Sequence, residues 1–245
     1  MTAVAQTVCA LVRDGETARR LEAQTRRVDD VLVHDGPVGD RMRAALDREA
    51  TWFWLLEEGV EPDPTALAEL LVPLTADGEL PAPVLVASKV LGRDGRLDPR
   101  SAPWPRSRGE VVVAACQHRL VVLRLVGWGS LLVHRDALSD HRPPRTDLAE
   151  GADALEWTTR LLAASHGYLA PRSVATRWDV WTGRSDEEAR DRVRLIFSPS
   201  WVGQERLWFA FRVADDAMRD LRSAPRSRTL AALARGVVAG VAGRR

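Results

Sequence analysis

Residues 52 to 64 read Trp52-Phe-Trp-Leu-Leu-Glu57-Glu58-Gly59-Val-Glu61-Pro62-Asp63-Pro64, and this stretch constrains the fold more than any other. A five-residue apolar run with no polar alternation is a strand buried on both faces, and here it stops at two adjacent carboxylates and a proline-punctuated turn. Successive side chains of an extended segment point to opposite faces, so Glu57 and Glu58 face one ligand only if the chain kinks. Gly59 permits that kink. One acid then faces a cleft. The plainer reading is that both glutamates solvate a strand end ahead of a helix that Asp63 and Pro64 begin and that buries Leu67, Leu70 and Leu71.

Upstream the same grammar repeats. Residues 7 to 12 are apolar and break at Arg13-Asp14-Gly15, and residues 16 to 25 are rich in helix formers. Val31-Leu-Val33 stops at His34-Asp35-Gly36-Pro37, and residues 40 to 50 are again helical. Strand and helix alternating through short connections predict a parallel, doubly wound sheet, with a ligand beyond the carboxyl ends of its strands. Asp14, Asp35 and Glu57 or Glu58 fall at those ends.

Beyond residue 83 the pattern changes. Val84 to Val90 reads as a strand, and Val111 to Val126, with β-branched residues on both sides of Gln117-His118-Arg119, predicts a hairpin or mixed-sheet region. Trp128 to Val133 reads as another buried strand. Leu155, Thr158, Leu161 and Leu162 form one helical stripe, and Ser173 to Thr176 reads as a last strand.

From about residue 183 the chain turns helical and arginine-rich. Trp201, Trp208, Phe209 and Phe211 accompany Arg206, Arg212, Arg219 and Arg222, a mixture that suits either packing onto the main domain or an amphipathic helix at a membrane surface. Residues 229 to 245 are small-residue-rich and are expected to fray.

Composition narrows the function classes. A net charge of +1 gives no global field for nucleic acid, and Lys89 is the only lysine among 35 basic residues. Arginine dominance suits phosphate and carboxylate recognition and also follows from a G+C-rich coding sequence. Cys9 and Cys116 lie in apolar runs without metal-ligand neighbours. His34, His118, His134, His141 and His166 show no ligand spacing, and there is no phosphate loop, nucleophile elbow or dinucleotide fingerprint. With no secretory start and no run of about 20 apolar residues, the expected location is cytoplasmic, or peripheral at the inner face of the membrane.

Taken in order, residues 7 to 177 resemble the family 2 glycosyltransferases, particularly rhamnosyl- and galactofuranosyl-type members. Gln24-Thr25 and Val31-Leu-Val-His-Asp35-Gly36 are similar to the family's "Q-T" turn and "V-V-D-N" strand end, and Trp52 to Pro64 to its "W-L-W-L-L-D-D-D-V-x-P-x-P". Ala87-Ser-Lys89-Val90 with Asp94-Gly95-Arg96 and Pro103-Trp104-Pro105 is similar to "A-S-K-V-x-x-x-D-G". Gly129-Ser130 to Val133 with Arg135 is similar to the donor and acceptor floor. Asp153 to Arg160 and Gly167 to Pro171 resemble "D-D-T-E-Y-T-A-R" and "G-Y-L-V-P".

The resemblance implies the GT-A nucleotide-sugar-binding fold over residues 1–182, a mixed, mostly parallel sheet flanked by helices, with residues 183–245 as a helical extension. It implies inverting transfer from a UDP- or dTDP-linked sugar to a hydroxyl of a cell-envelope glycan or lipid-linked acceptor. Asp35 and Asp14 would hold the nucleoside and Lys89 would bind the nucleotide-sugar; Glu57 and Glu58 would face the diphosphate and carry a divalent metal, Mn or Mg. Asp153 or Glu156 would be the base. The chain departs from the pattern at three places: Gly59 stands for the third acid, Ala154 for the second acid of the later pair, and Ala175-Thr-Arg177-Trp178 carries no histidine. Arg177 is then a candidate fixed charge in place of a metal. A catalytically degenerate domain that binds or assembles with an active transferase, or with its own copies, is the alternative these departures imply.

Overall fold

Val8–Val12 (β1), Asp30–Val33 (β2) and Trp52–Leu56 (β3) run parallel, with β1 in the middle. The computed structural model describes residues 6–75, 78, 80–106, 109–180 and 185–223 of the 245. The expectation of fraying at 229 to 245 lies outside the described residues, as do the side chains of Arg219 and Arg222.

The sheet continues with Val60–Pro62 (β4), Leu85–Gly92 (β5), Trp104–Pro105 (β6), Val121–Leu125 (β7), Ser130–His134 (β8) and Gly167–Arg177 (β9). Its order is β2-β1-β3-β8-β5-β9-β7-β6, with β4 paired to β9. β8 is antiparallel to both β3 and β5, β9 is parallel to β5, and β7 is antiparallel to β9 and β6. Thus β1, β2, β3, β5, β6 and β9 share one direction. The sheet is mixed, as expected, and most strands run one way.

Helices Gly15–Arg20 (α1), Val38–Ala45 (α2), Ala66–Leu71 (α3), Glu110–Gln117 (α4) and Arg135–Ser139 (α5) flank it. All five residues of β3 are buried, and alternate residues serve different sides. Trp52, Trp54 and Leu56 join Val8, Ala10, Val12, Leu67 and Leu70 in one cluster. Phe53 and Leu55, equally buried, point the other way. A chain of buried hydroxyls holds α3 on the sheet. Trp54 Nε1 donates to Ser130 Oγ at 3.0 Å, Ser130 and Ser173 each meet Ser88 Oγ at 2.7 and 2.8 Å, and Ser173 donates to the Ala66 carbonyl at 2.9 Å. Every polar atom in that chain has a partner, as burial demands.

One expectation is corrected. Val111 to Gln117 is the helix α4, not the first arm of a hairpin, and Gln117-His118-Arg119 is its cap. Arg119 adopts φ 58°, its N–H donates to the Cys116 carbonyl at 3.0 Å, and the Leu120 N–H reaches back to Ala115 at 2.9 Å. That is a Schellman ending, sealed by buried Ala115 and Leu120. Packing of this face outweighs the strand preference of three consecutive valines. β9 is also longer than Ser173 to Thr176 suggested, because it pairs with β5 along eight residues across a bulge.

The chain divides into two compact units: residues up to Pro144 with Trp157–Val180, and Arg145–Glu156 with the chain from Trp181 onward. The second contains the start of Ala152–Ala164 (α6), then Asp186–Leu195 (α7) and Gln204–Ser223 (α8). Within it, Arg192 pairs with Glu188 of its own helix and with Asp216 of α8, all three buried. Trp201 stacks on Phe209 at 4.6 Å, while Leu207, Trp208, Phe211 and Met218 of α8 are exposed. Of the tail aromatics, Trp201 and Phe209 are thus buried and Trp208 and Phe211 exposed. Among the described residues no helix is long and apolar enough to cross a membrane.

Candidate active site at the strand tips

The carboxyl ends of β1, β2 and β3 deliver Arg13, Asp35 and Glu58 to one place. Arg13 Nε lies 3.2 Å from Asp35 Oδ1, and its Nη1 lies 3.0 Å from Glu58 Oε2. The two acids that the sequence placed at adjacent tips are thus joined through one guanidinium. All three side chains are open to water, at 44% for Arg13, 85% for Asp35 and 65% for Glu58. Exposed pairs of this kind contribute about 0–1 kcal/mol each, so they do little for the fold and exchange readily for a ligand.

Glu57 faces the other way, as alternation requires. The chain turns between Glu57 and Val60, whose N–H donates to the Glu57 carbonyl at 3.1 Å, with Gly59 at φ 72° in the third position. Such a turn wants glycine there. Glu57 is 17% exposed and pairs closely with Arg177, which is 3% exposed at the end of β9. Arg177 also donates to Asp98 Oδ2 at 2.8 Å, to Ser101 Oγ at 3.1 Å and to the Trp128 carbonyl at 3.2 Å. Burial weakens the Arg177 charge, but Glu57 and Asp98 more than restore it and hold its pKa above the ordinary value.

Asp98 reaches Arg177 because two glycines let its loop lie flat on the sheet. A Cβ on Gly127 would stand 1.8 Å from the Arg100 carbonyl oxygen, and one on Gly129 would stand 2.6 Å from Ser101 Oγ. Asp98 Oδ1 accepts from Arg100 Nε at 3.2 Å, and Arg100 in turn pairs closely with Asp179. Burial pushes the Asp179 carboxyl up, yet Arg100 and then Arg177 carry it below the usual carboxylate range. Asp179 closes the circle, since a Cβ at Gly59 would lie 2.8 Å from its Oδ1.

The remaining expected residues have other settings. Asp14 caps α1, accepting from the N–H groups of Glu16 and Thr17 at 2.8 and 2.7 Å and from the Thr17 hydroxyl at 2.9 Å. Lys89 is half-buried on β5 and takes no part in the network. Asp153 and Glu156 lie in the second unit, on the first and second turns of α6. There Asp153 Oδ1 accepts from Gly151 and Ala154 N–H at 2.9 and 2.7 Å, and Glu156 is buried. Sequence reading missed Arg13, Asp98, Ser101, Arg100 and Asp179. Arg13 stands directly after one strand and Asp179 two residues after another, which was the available signal.

No family model matches the chain, and no curated protein matches it. Among solved structures it is similar to the crystal structure of GalNAc-T7 with UDP, GalNAc and Mn2+, at 10% identity and a TM-score of 0.50, over 92% of this chain and 59% of that one. This is a GT-A fold. The chain spans less than two thirds of that protein's length.

The GT-A fold often carries a divalent ion between the acidic run and the diphosphate, and the residues present here do not fit one. Among the described residues no three His, Cys, Asp or Glu side chains form a metal-holding group. A hard cation wants several oxygens turned toward one point. Instead, Glu57 is turned to Arg177, Glu58 to Arg13 and Asp179 to Arg100. Glu57 and Glu58, expected to carry the metal, present their oxygens to guanidinium groups here.

Proposed function

We propose that the chain binds a sugar nucleotide at the tips of β1, β2 and β3 and acts as a glycosyltransferase similar to family 2. It would transfer a sugar, with inversion, from a UDP- or dTDP-linked donor to a hydroxyl of a cell-envelope glycan or lipid-linked acceptor. The observation that carries this reading is the Arg13 bridge between Asp35 and Glu58, which joins on one open edge the acid this reading assigns to the nucleoside and the acid it sets beside the diphosphate. In open α/β sheets that edge is where ligands bind. The GT-A fold supports the donor class; fold alone does not fix the acceptor.

In this reading Asp35 accepts hydrogen bonds from the nucleoside, and Arg13 donates to the diphosphate. Asp153 or Glu156 takes the proton of the acceptor hydroxyl as its oxygen bonds to the anomeric carbon, and the bond from that carbon to the diphosphate oxygen breaks with its electrons leaving on the diphosphate. A second reading has its own support. Ala154 is wholly buried where the family has an acid, and Asp153 spends one oxygen on capping, which suits a non-catalytic domain that binds a nucleotide and assembles with an active transferase or a second copy. The exposed apolar residues of α8 support peripheral contact with the inner face of a membrane in either case.

The test is a thermal-shift screen of nucleoside diphosphates and nucleotide sugars, followed by a transfer assay with the donors that bind. A ligand specific to the native state raises its stability by mass action. Binding with donor turnover supports the enzyme; binding without turnover supports the assembly domain. No stabilisation by any nucleotide overturns both.

A further inference from the structure

Around Gly59 stand three carboxylates, from Glu57, Glu58 and Asp179, and each faces its own arginine. The partners are Arg177, Arg13 and Arg100, and they come from three separate segments of the chain. Asp98 ties two of them together, accepting from Arg100 at 3.2 Å and from Arg177 at 2.8 Å. Gly59 itself cannot supply a further acid cheaply, because its φ of 72° and the Asp179 carboxylate 2.8 Å from its would-be Cβ both oppose a side chain. The cations available at this edge are therefore guanidinium groups built into the polypeptide, set among carboxylates that they pair with.

We propose that this arginine set stands in place of a divalent ion, so that a nucleoside diphosphate binds the strand tips without metal, with Arg13 as the group that touches the diphosphate. The proposal rests on the nucleotide-binding reading above and specifies how that site supplies its cation.

The arginines divide the work by burial. Arg177 is 3% exposed and donates to a carboxylate, a hydroxyl and a carbonyl besides Glu57. It is fixed, and its task is to neutralise Glu57 and keep that oxygen from gathering a cation. Seating a divalent ion on Glu57 would set it against a buried guanidinium that has no route to solvent without abandoning those partners. Arg13 is 44% exposed, and the Asp35 and Glu58 carboxylates that it holds are exposed as well. Its planar fork matches phosphate oxygens, and it leaves Asp35 free to turn to a ribose hydroxyl when a diphosphate takes its place. Arg100, 26% exposed, keeps Asp179 from presenting an unpaired charge beside the ligand.

The test is calorimetric titration of the full chain with UDP, and separately with dTDP, in excess EDTA and again with Mn2+. The expected result is binding in EDTA with an unchanged dissociation constant when Mn2+ is present. Arg13→Ala should weaken binding in EDTA by about tenfold or more, the size of a lost charge-assisted contact, with Arg13→Lys recovering part of it. Because Arg13 is exposed, the ligand-free melting temperature of both variants should match that of the parent. Mn2+ alone, followed by its paramagnetic resonance signal, should stay free in the presence of the protein. Binding that appears only with Mn2+, or Arg13→Ala with undiminished affinity, overturns the proposal and leaves the nucleotide reading in place. No binding of either nucleotide in either buffer overturns both.

Discussion

Arg177 Nε and Asp98 Oδ2 lie 2.8 Å apart with their side chains 3% and 2% exposed, which makes this pair the anchored half of an otherwise open charge network. Removing one partner of a buried ion pair leaves the other uncompensated and costs about 3–5 kcal/mol. Asp98→Ala should lower stability on that scale. Asp35→Ala, which breaks only an exposed pair, should cost no more than about 1 kcal/mol. Urea unfolding of the two variants measures the contrast, and equal losses would contradict the division between fixed and exchangeable arginines.

Gly59→Asp restores the third acid of the family pattern and should not restore a metal site. The left-handed backbone and the contact with Asp179 predict a loss of about 1–3 kcal/mol. Pairing it with Asp179→Ala should recover part of that loss by removing the carboxylate it meets. Thermal unfolding with and without Mn2+ reads both effects, and a Gly59→Asp protein stabilised by Mn2+ would count against the account.

The Asp14 cap carries a pH dependence. Its carboxyl sits below the ordinary 3.8, chiefly because the Thr17 N–H donates to it; burial opposes this, and the Thr17 hydroxyl, the Glu16 N–H and Arg20 add to it. A folded-state pKa below the unfolded one contributes stability that is present above the unfolded value and is lost as pH falls through the folded value. Asp14→Ala should therefore cost about 1 kcal/mol near neutral pH and progressively less in acid. Unfolding midpoints of parent and variant should converge as pH falls below the ordinary aspartate range. A gap that widens on acidification would assign Asp14 a different role.

The exposed residues of α8 make a separate prediction. If the second unit rests on a membrane, the protein should sediment with vesicles containing anionic lipid, and replacing Trp208 and Phe211 together by glutamate should abolish this without lowering the melting temperature, since both are already in water. Retained sedimentation of the double variant would remove α8 as the contact.

Much of this was legible in the chain. The runs at 7 to 12, 31 to 33 and 52 to 56 are apolar without alternation and end in turn residues, so parallel strands followed directly, although β2 at the sheet edge is only partly buried, and strand alternation alone separated the directions of Glu57 and Glu58. What failed was local preference against packing. Three valines read as strand, yet α4 forms because Ala115 and Leu120 seal its end. The arginine partners were hidden for a different reason. Arg13 meets Glu58 across 45 residues and Arg177 meets Asp98 across 79, and no periodicity encodes such a pairing. The capping of α1 by Asp14, two and three residues from its donors, was readable from Asp14-Gly-Glu-Thr17, but its place at a strand tip suggested a ligand instead.

The location of the site is tested most directly by amide hydrogen exchange of the full chain with and without saturating UDP. The account predicts slower exchange in the backbone around Arg13, around Asp35 and across Glu57 to Val60, the three tips that Arg13 joins. Protection confined to other segments, with these three unchanged, would contradict it.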